Sequence, residues 1–199
     1  LGKDSLQEYA EAFGFNATID FEKQLSPSRM NIADDPYNWA EIASGFNNQT
    51  TLSPLHGAVL AAVALNQGRL VEPTIVDRIV DNDGKVFYRN KPTFAGRAVS
   101  AETARILATL METTVKSGTC RKAFRGAKRD KVLSNLRIGG KTGSIYDKGH
   151  TTRFDWFVGF AHEKKGRGKM TVSVLVAHEE YIGKRASEYA RLAFKHYFK

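Results

Sequence analysis

Cysteine is almost missing: Cys120 stands alone among 199 residues, which excludes an internal disulfide. No second Cys and no His lies near it at ligand spacing, so Cys120 reads as a small structural residue. Long hydrophobic runs are missing too. No stretch approaches the roughly 18 apolar residues of a membrane-spanning helix, and no signal-peptide pattern is visible. The chain opens at Leu1 without an initiator Met and reads as cut from a longer protein. Metal chemistry has little to build on. His178-Glu179 begins a zinc-protease pattern, but Ile182 occupies the second ligand position. His56, His150, His162 and His196 are scattered, so no metal and no other cofactor is expected. Internal repeats and low-complexity segments are also absent.

What is present fits one domain with a real core: 42% of the residues are hydrophobic. Charge is lopsided, with 30 Lys and Arg against 21 Asp and Glu, a formal net of +9. Part of the excess is local, in Arg121, Lys122, Arg125, Lys128, Arg129 and Lys131, interrupted by Asp130. Such a run suits nucleic acid or another anionic polymer. No zinc-finger spacing or aromatic-rich RNA signature accompanies it, so we read a solvated basic loop and expect no nucleic-acid partner. A non-catalytic polyanion-binding module stays as the alternative from another class.

Apolar residues Leu6, Tyr9, Ala10 and Phe13 recur at helical spacing and predict a helix over 3–13, ended by Gly14. From Phe15 to Thr51 the pattern is irregular, with Asp34-Asp35-Pro36 as a turn signal. Ser53-Pro54 reads as a cap and first helical residue, opening a helix through Leu55, Val59, Ala62 and Val63 towards Gly68. Strands at Ile75–Val80 and Val86–Tyr88 flank the hairpin signal Asp83-Gly84. Ser100 caps a further helix with Leu107, Leu110, Met111 and Thr114 on one face, closed by Gly118. Asp155–Ala161 and Met170–Ala177 read as strands joined by an exposed turn at 164–168, and Ala186, Tyr189, Ala190, Ala193 and Tyr197 describe a last helix. The order predicts an α+β fold, an antiparallel sheet covered by helices.

One stretch carries chemistry: Gly139-Gly140-Lys141-Thr142-Gly143-Ser144, led in by Leu133, Leu136 and Ile138. Three glycines strip side chains from extended backbone, so a ligand can approach the main chain. A phosphate loop would need glycine where Asn135 stands and a helix after Ser144, and neither is found. Acyl transfer fits better. Lys141 supplies fixed positive charge beside a nucleophile, Thr142 a hydroxyl for a carboxylate, and the Ser144 N–H one donor of an oxyanion hole. Gly143 lets the scissile bond lie along the strand. Tyr146 reads as a packing or loop residue, and Trp156 and Phe157 as core.

Lys141-Thr142-Gly143-Ser144 resembles the third motif of the penicillin-binding proteins and serine β-lactamases. Leu1-Gly2, Leu6, Tyr9-Ala10 and Phe13-Gly14-Phe15 resemble the segment downstream of the second motif in high-molecular-weight transpeptidases. Thr51 to Leu55, Asn66-Gln67-Gly68, Asp81 to Gly84, Val115 to Thr119 and Asp155 to Phe160 follow in the family's order. The resemblance implies the carboxy-terminal part of a single transpeptidase domain over 1–199, with an incomplete penicillin-binding/serine β-lactamase-like fold. It implies a D,D-transpeptidase that crosslinks peptidoglycan stem peptides through a serine acyl-enzyme and is acylated by β-lactams. A β-lactamase or β-lactam sensor is the nearer alternative.

On this chain the resemblance assigns catalytic roles to Lys141 and Ser144, and substrate contacts to Thr142, Gly143 and Gly140. The departure lies elsewhere. No serine has lysine three residues on; Ser26 comes nearest, with Arg29 in the fourth place, and a guanidinium does not deprotonate to act as a base. Ser-x-Asn is absent as well. The nucleophile is therefore expected upstream of Leu1, and the fragment alone is expected to be inactive. The implied partners are the stem peptide, β-lactams in the intact domain and the upstream part of the same protein, with self-association of an isolated fragment. The implied location is the extracytoplasmic face of the bacterial cytoplasmic membrane, held by an upstream anchor.

Overall fold

The computed structural model describes residues 2–47 and 49–199. Its long helices start where capping chemistry dictates. In α3 (Pro54–Leu65) the Ser53 hydroxyl accepts the His56 N–H at 3.2 Å, with Pro54 at the first helical position. In α4 (Ala101–Lys116) Ser100 does the same for Thr103. The helix α1 (Lys3–Ala12) ends before Gly14, whose φ of 84° turns the chain away.

Two elements depart from the sequence reading. Asp35-Pro36 is no simple turn: the Asp35 carboxylate accepts the N–H groups of Tyr37 and Asn38 and opens α2 (Pro36–Ser44), as Ser53-Pro54 opens α3. Two three- and four-residue strands, β1 (Arg69–Val71) and β4 (Phe94–Arg97), pair antiparallel where no strand was expected. Between them stands the expected hairpin, β2 (Arg78–Val80) with β3 (Val86–Arg89), shorter at its first strand than the sequence pattern implied.

The main sheet holds three long antiparallel strands in sequence order: β5 (Leu136–Tyr146), β6 (Arg153–Glu163) and β7 (Lys169–His178). Leu133, expected in the lead-in of β5, sits instead in a 3-10 turn over Leu133–Asn135 that delivers the chain to Leu136. Side chains alternate across the sheet, so each face has its own cover. On one face Gly57 of α3 packs against Val158 and Ser173, and Met111 of α4 lies over Gly139. On the other, α5 (Ala186–Tyr197) sets Phe194 against Phe157, ring centroids 6.4 Å apart and edge-on. Both rings are fully buried, each worth about 1.5–3 kcal/mol of apolar burial. Cys120 and Phe124 join that core, so the basic segment is pinned at its start while its charged side chains face outward.

Helix α4 corrects one more expectation. Its covered side holds Ala104, Leu107, Ala108, Met111, Glu112, Thr114 and Val115, whereas Leu110, expected with Leu107, Met111 and Thr114, is 59% exposed. Four residues earlier Ile106 is exposed as well, so α4 carries two apolar stripes and covers only one. Glu112, buried, binds the Arg137 guanidinium at 2.7 Å and Lys116 at 2.9 Å, tying α4 to β5. Among the described residues no helix is long and apolar enough to cross a membrane.

Candidate active site

Gly139 to Ser144 all lie in β5, an edge strand with no partner on its outer side among the described residues. Which main-chain groups face outward follows from the ladder. Lys164 N–H donates to Asn135 O at one end and Asp147 N–H to Thr152 O at the other, both at 2.9 Å. The β5–β6 register runs unbroken between them, so odd-numbered residues of β5 exchange hydrogen bonds with β6. The even-numbered residues Thr142 and Ser144 therefore aim their N–H and C=O groups at the open edge. That is a ledge of free donors and acceptors.

Side chains sort by the same parity. Lys141 projects from the face that carries α3 and α4, whereas Thr142 and Ser144 project from the α5 face. The exposed Lys141 ammonium folds over the edge and donates to Thr142 O at 2.6 Å. On the other face the Thr142 hydroxyl meets the Thr119 hydroxyl at 2.8 Å, where the chain leaves α4.

The glycines divide by role. A Cβ on Gly139 would run into the Phe160 ring, and one on Gly140 into the Phe157 ring. Both glycines are buried, so core packing demands them. Gly143 is different: it is exposed, and a Cβ there would touch only Trp156 Cβ at 3.5 Å. Of the three glycines, only Gly143 has room for a Cβ at ordinary contact distance.

Beneath Ser144 lies a buried ionic hub that sequence reading missed. The Ser144 hydroxyl donates to Asp155 at 2.7 Å, and Arg185 Nη1 donates to both Asp155 oxygens at 3.1 and 3.0 Å. Arg153 Nε and His178 Nε2 each approach the same carboxylate at 3.4 Å, without hydrogen-bond alignment. Burial by itself would push the Asp155 carboxyl up. The Ser144 hydroxyl and the two guanidiniums outweigh it, and the carboxyl is held below its ordinary value. Asp155 belongs to the strand partnered with the motif, directly opposite Ser144. Arg185 lies 30 residues further on, at the head of α5, with no local motif to mark it.

Other readings find their places. Phe157 is core, while Trp156 is half-buried and borders the cleft beside Thr142 and Ser144. Tyr146 is exposed at the strand end, its ring 5.7 Å from that of His150. Burial pushes the Cys120 thiol up, in keeping with an inert packing residue. His56 is buried with Nε2 on Phe13 O at 2.8 Å, and burial lowers its pKa.

Known proteins resemble this chain in sequence and in fold. Penicillin-binding protein 1A of Neisseria meningitidis serogroup A is 29% identical over 164 residues, which is 80% of this chain and 17% of that protein. The structure of penicillin-binding protein A from M. tuberculosis, an imipenem acyl-enzyme complex, matches 98% of this chain and 42% of its own, at 24% identity and a TM-score of 0.79. The D,D-transpeptidase domain of a peptidoglycan glycosyltransferase from Eggerthella lenta matches 99% of this chain and 47% of its own, at 23% identity and a TM-score of 0.72. The chain thus spans less than half the length of these relatives, and its α+β fold is theirs. The family model described as penicillin binding protein transpeptidase domain matches residues 1–196, and the chain belongs to that family.

Proposed function

We propose that this chain is the carboxy-terminal part of a peptidoglycan D,D-transpeptidase domain and supplies its substrate ledge but not its nucleophile. The observation that carries this reading is the open edge of β5, with the Thr142 and Ser144 main chains facing outward beside the Lys141 ammonium. A stem peptide lies along that edge as an added strand, its scissile carbonyl over Gly143. Lys141 and Thr142 hold its terminal carboxylate. Gly140, flat against Phe157, sets the height of the ledge. The Ser144 N–H is one donor to the oxyanion, a contact worth roughly 2.7–4 kcal/mol in other enzymes. A serine from outside this chain attacks the penultimate D-alanine carbonyl, expels the terminal D-alanine and leaves an acyl-enzyme. The amine of a second stem then resolves the acyl-enzyme.

β-Lactams would acylate the intact domain at the same ledge; the mycobacterial neighbour is an imipenem acyl-enzyme complex. The upstream part of the same protein is the proposed cover for Ile106 and Leu110 of α4, which stand exposed. An isolated fragment would instead self-associate through that stripe. The proposed location is the extracytoplasmic face of the membrane, through an anchor upstream. Family membership favours transpeptidase chemistry over the β-lactamase, sensor and polyanion-binding alternatives. Retention of the chain on an immobilised stem peptide ending in D-Ala-D-Ala, abolished by Lys141→Ala, tests the reading. Equal retention of wild type and variant would overturn it.

A further inference from the structure

The parity of β5 leaves a charge unaccounted for. Lys141 and Thr142 project from opposite faces, and the Lys141 ammonium reaches the edge only by folding onto Thr142 O. A carboxylate bonded to the Thr142 hydroxyl sits on the α5 face, within reach of cations that line that face. A cleft of about 520 Å³ opens there, lined among others by Thr119, Lys122, Thr142, Ser144, Asp155 and Arg185.

Arg185 is the cation best placed within it. Its Nη1 is fixed on both Asp155 oxygens, while Nε and Nη2 have no hydrogen-bond partner among the described residues. The side chain is 42% exposed, so these free donors are accessible from the cleft. Asp155 does not neutralise Arg185 alone, because Arg153 flanks the same carboxylate and its Nη2 donates to the Ser144 hydroxyl at 3.2 Å. Two guanidiniums therefore share one buried acid. Glu188, the other acid on the cleft, is committed to the main-chain N–H of Arg185 at 2.9 Å. A guanidinium held by one nitrogen, with its other N–H groups free, is preorganised to bind a carboxylate.

We propose that Arg185, oriented by Asp155, is a second cationic anchor for the carboxylate of an acyl-D-alanine terminus, beside the Thr142 hydroxyl. This rests on the reading of the Lys141–Ser144 edge as the carboxylate-binding ledge. Arg185 sets specificity for a free terminal carboxylate over a neutral carboxamide. Asp155 is a positioning residue, acting through Arg185 and Ser144.

NMR titration of the whole chain with N-acetyl-D-alanine, and separately with N-acetyl-D-alaninamide, tests this. The acid is expected to shift the Arg185 Nε–Hε resonance together with the Thr142 and Ser144 amides, at one Kd, and the amide probe to leave Arg185 unmoved. Arg185→Gln is expected to weaken the acid by about tenfold, with Arg185→Lys in between. Shifts at Thr142 and Ser144 with Arg185 silent, and undiminished affinity in Arg185→Gln, would overturn the role of Arg185 while leaving the ledge intact. No shift anywhere on the edge would overturn both. Should Arg185→Gln unfold, the wild-type Arg185 resonance still decides.

Discussion

Ser144 and Asp155 face each other across β5 and β6, and the Ser144 hydroxyl donates to the buried Asp155 carboxylate at 2.7 Å. The exposed Ser144 thus spends its hydroxyl on a buried carboxylate while its main-chain N–H faces the open edge. Structure and proposed chemistry use different atoms of the same residue.

Ser144→Ala separates the two uses. Losing a hydrogen bond to a charged group costs about 1.5–3 kcal/mol, so the midpoint of urea unfolding should fall clearly. Retention on immobilised stem peptide should persist, because the edge N–H is untouched. Ser144→Pro removes that N–H without breaking a bond of the β5–β6 ladder, and retention should then drop. Retention lost already in Ser144→Ala, with no further loss in Ser144→Pro, would assign the contact to the hydroxyl and overturn the role of the N–H.

Gly140 and Gly143 should behave oppositely. A methyl group on Gly140 drives into the Phe157 ring, and overpacking of this kind costs about 1–3 kcal/mol. A methyl on Gly143 meets only Trp156 Cβ, so Gly143→Ala should move stability by no more than about 0.5 kcal/mol. The same Gly143→Ala change should weaken stem-peptide retention, since it narrows the ledge. Thermal denaturation alongside the retention assay checks both.

Much of this was legible beforehand, and the exceptions have physical causes. Ser53-Pro54 announced α3 because an apolar helical stripe follows it. Asp35-Pro36 carries the same capping chemistry, but the helix it opens has only nine residues and the surrounding pattern is irregular, so nothing in the sequence marks α2. Strands β1 and β4 are too short for alternation to show, and their pairing joins residues more than twenty apart. Leu110 shares a helical stripe with Leu107 and Met111, and an isolated apolar periodicity cannot say which of two stripes finds a partner. At the site, the motif itself was plain in sequence. The demand of Phe157 for glycine at 140 was not, nor was Arg185, because both depend on which side chains the sheet and α5 bring together.

Acid should loosen the fold through groups of known direction. Asp130 is held down to about 2, first by the Lys195 ammonium and then by the Leu133 and Val132 N–H groups. Asp155 is lowered as described, and Asp147 by the Thr152 N–H and the Thr151 hydroxyl. Each folded pKa lies below the unfolded value of about 3.9, so the stabilisation is full above that value and fades as pH falls through the folded pKa. Melting temperature should therefore decline between about pH 4 and pH 2, and less steeply in Asp130→Asn. An Asp130→Asn variant with an unchanged acid slope would contradict the Lys195 pairing as a contributor.

The most direct measurement is the intact mass of this chain after prolonged incubation with a penicillin. An unchanged mass is expected on the proposal that the attacking serine is supplied from outside residues 1–199. A covalent adduct of the drug's mass on any serine of this chain would contradict it.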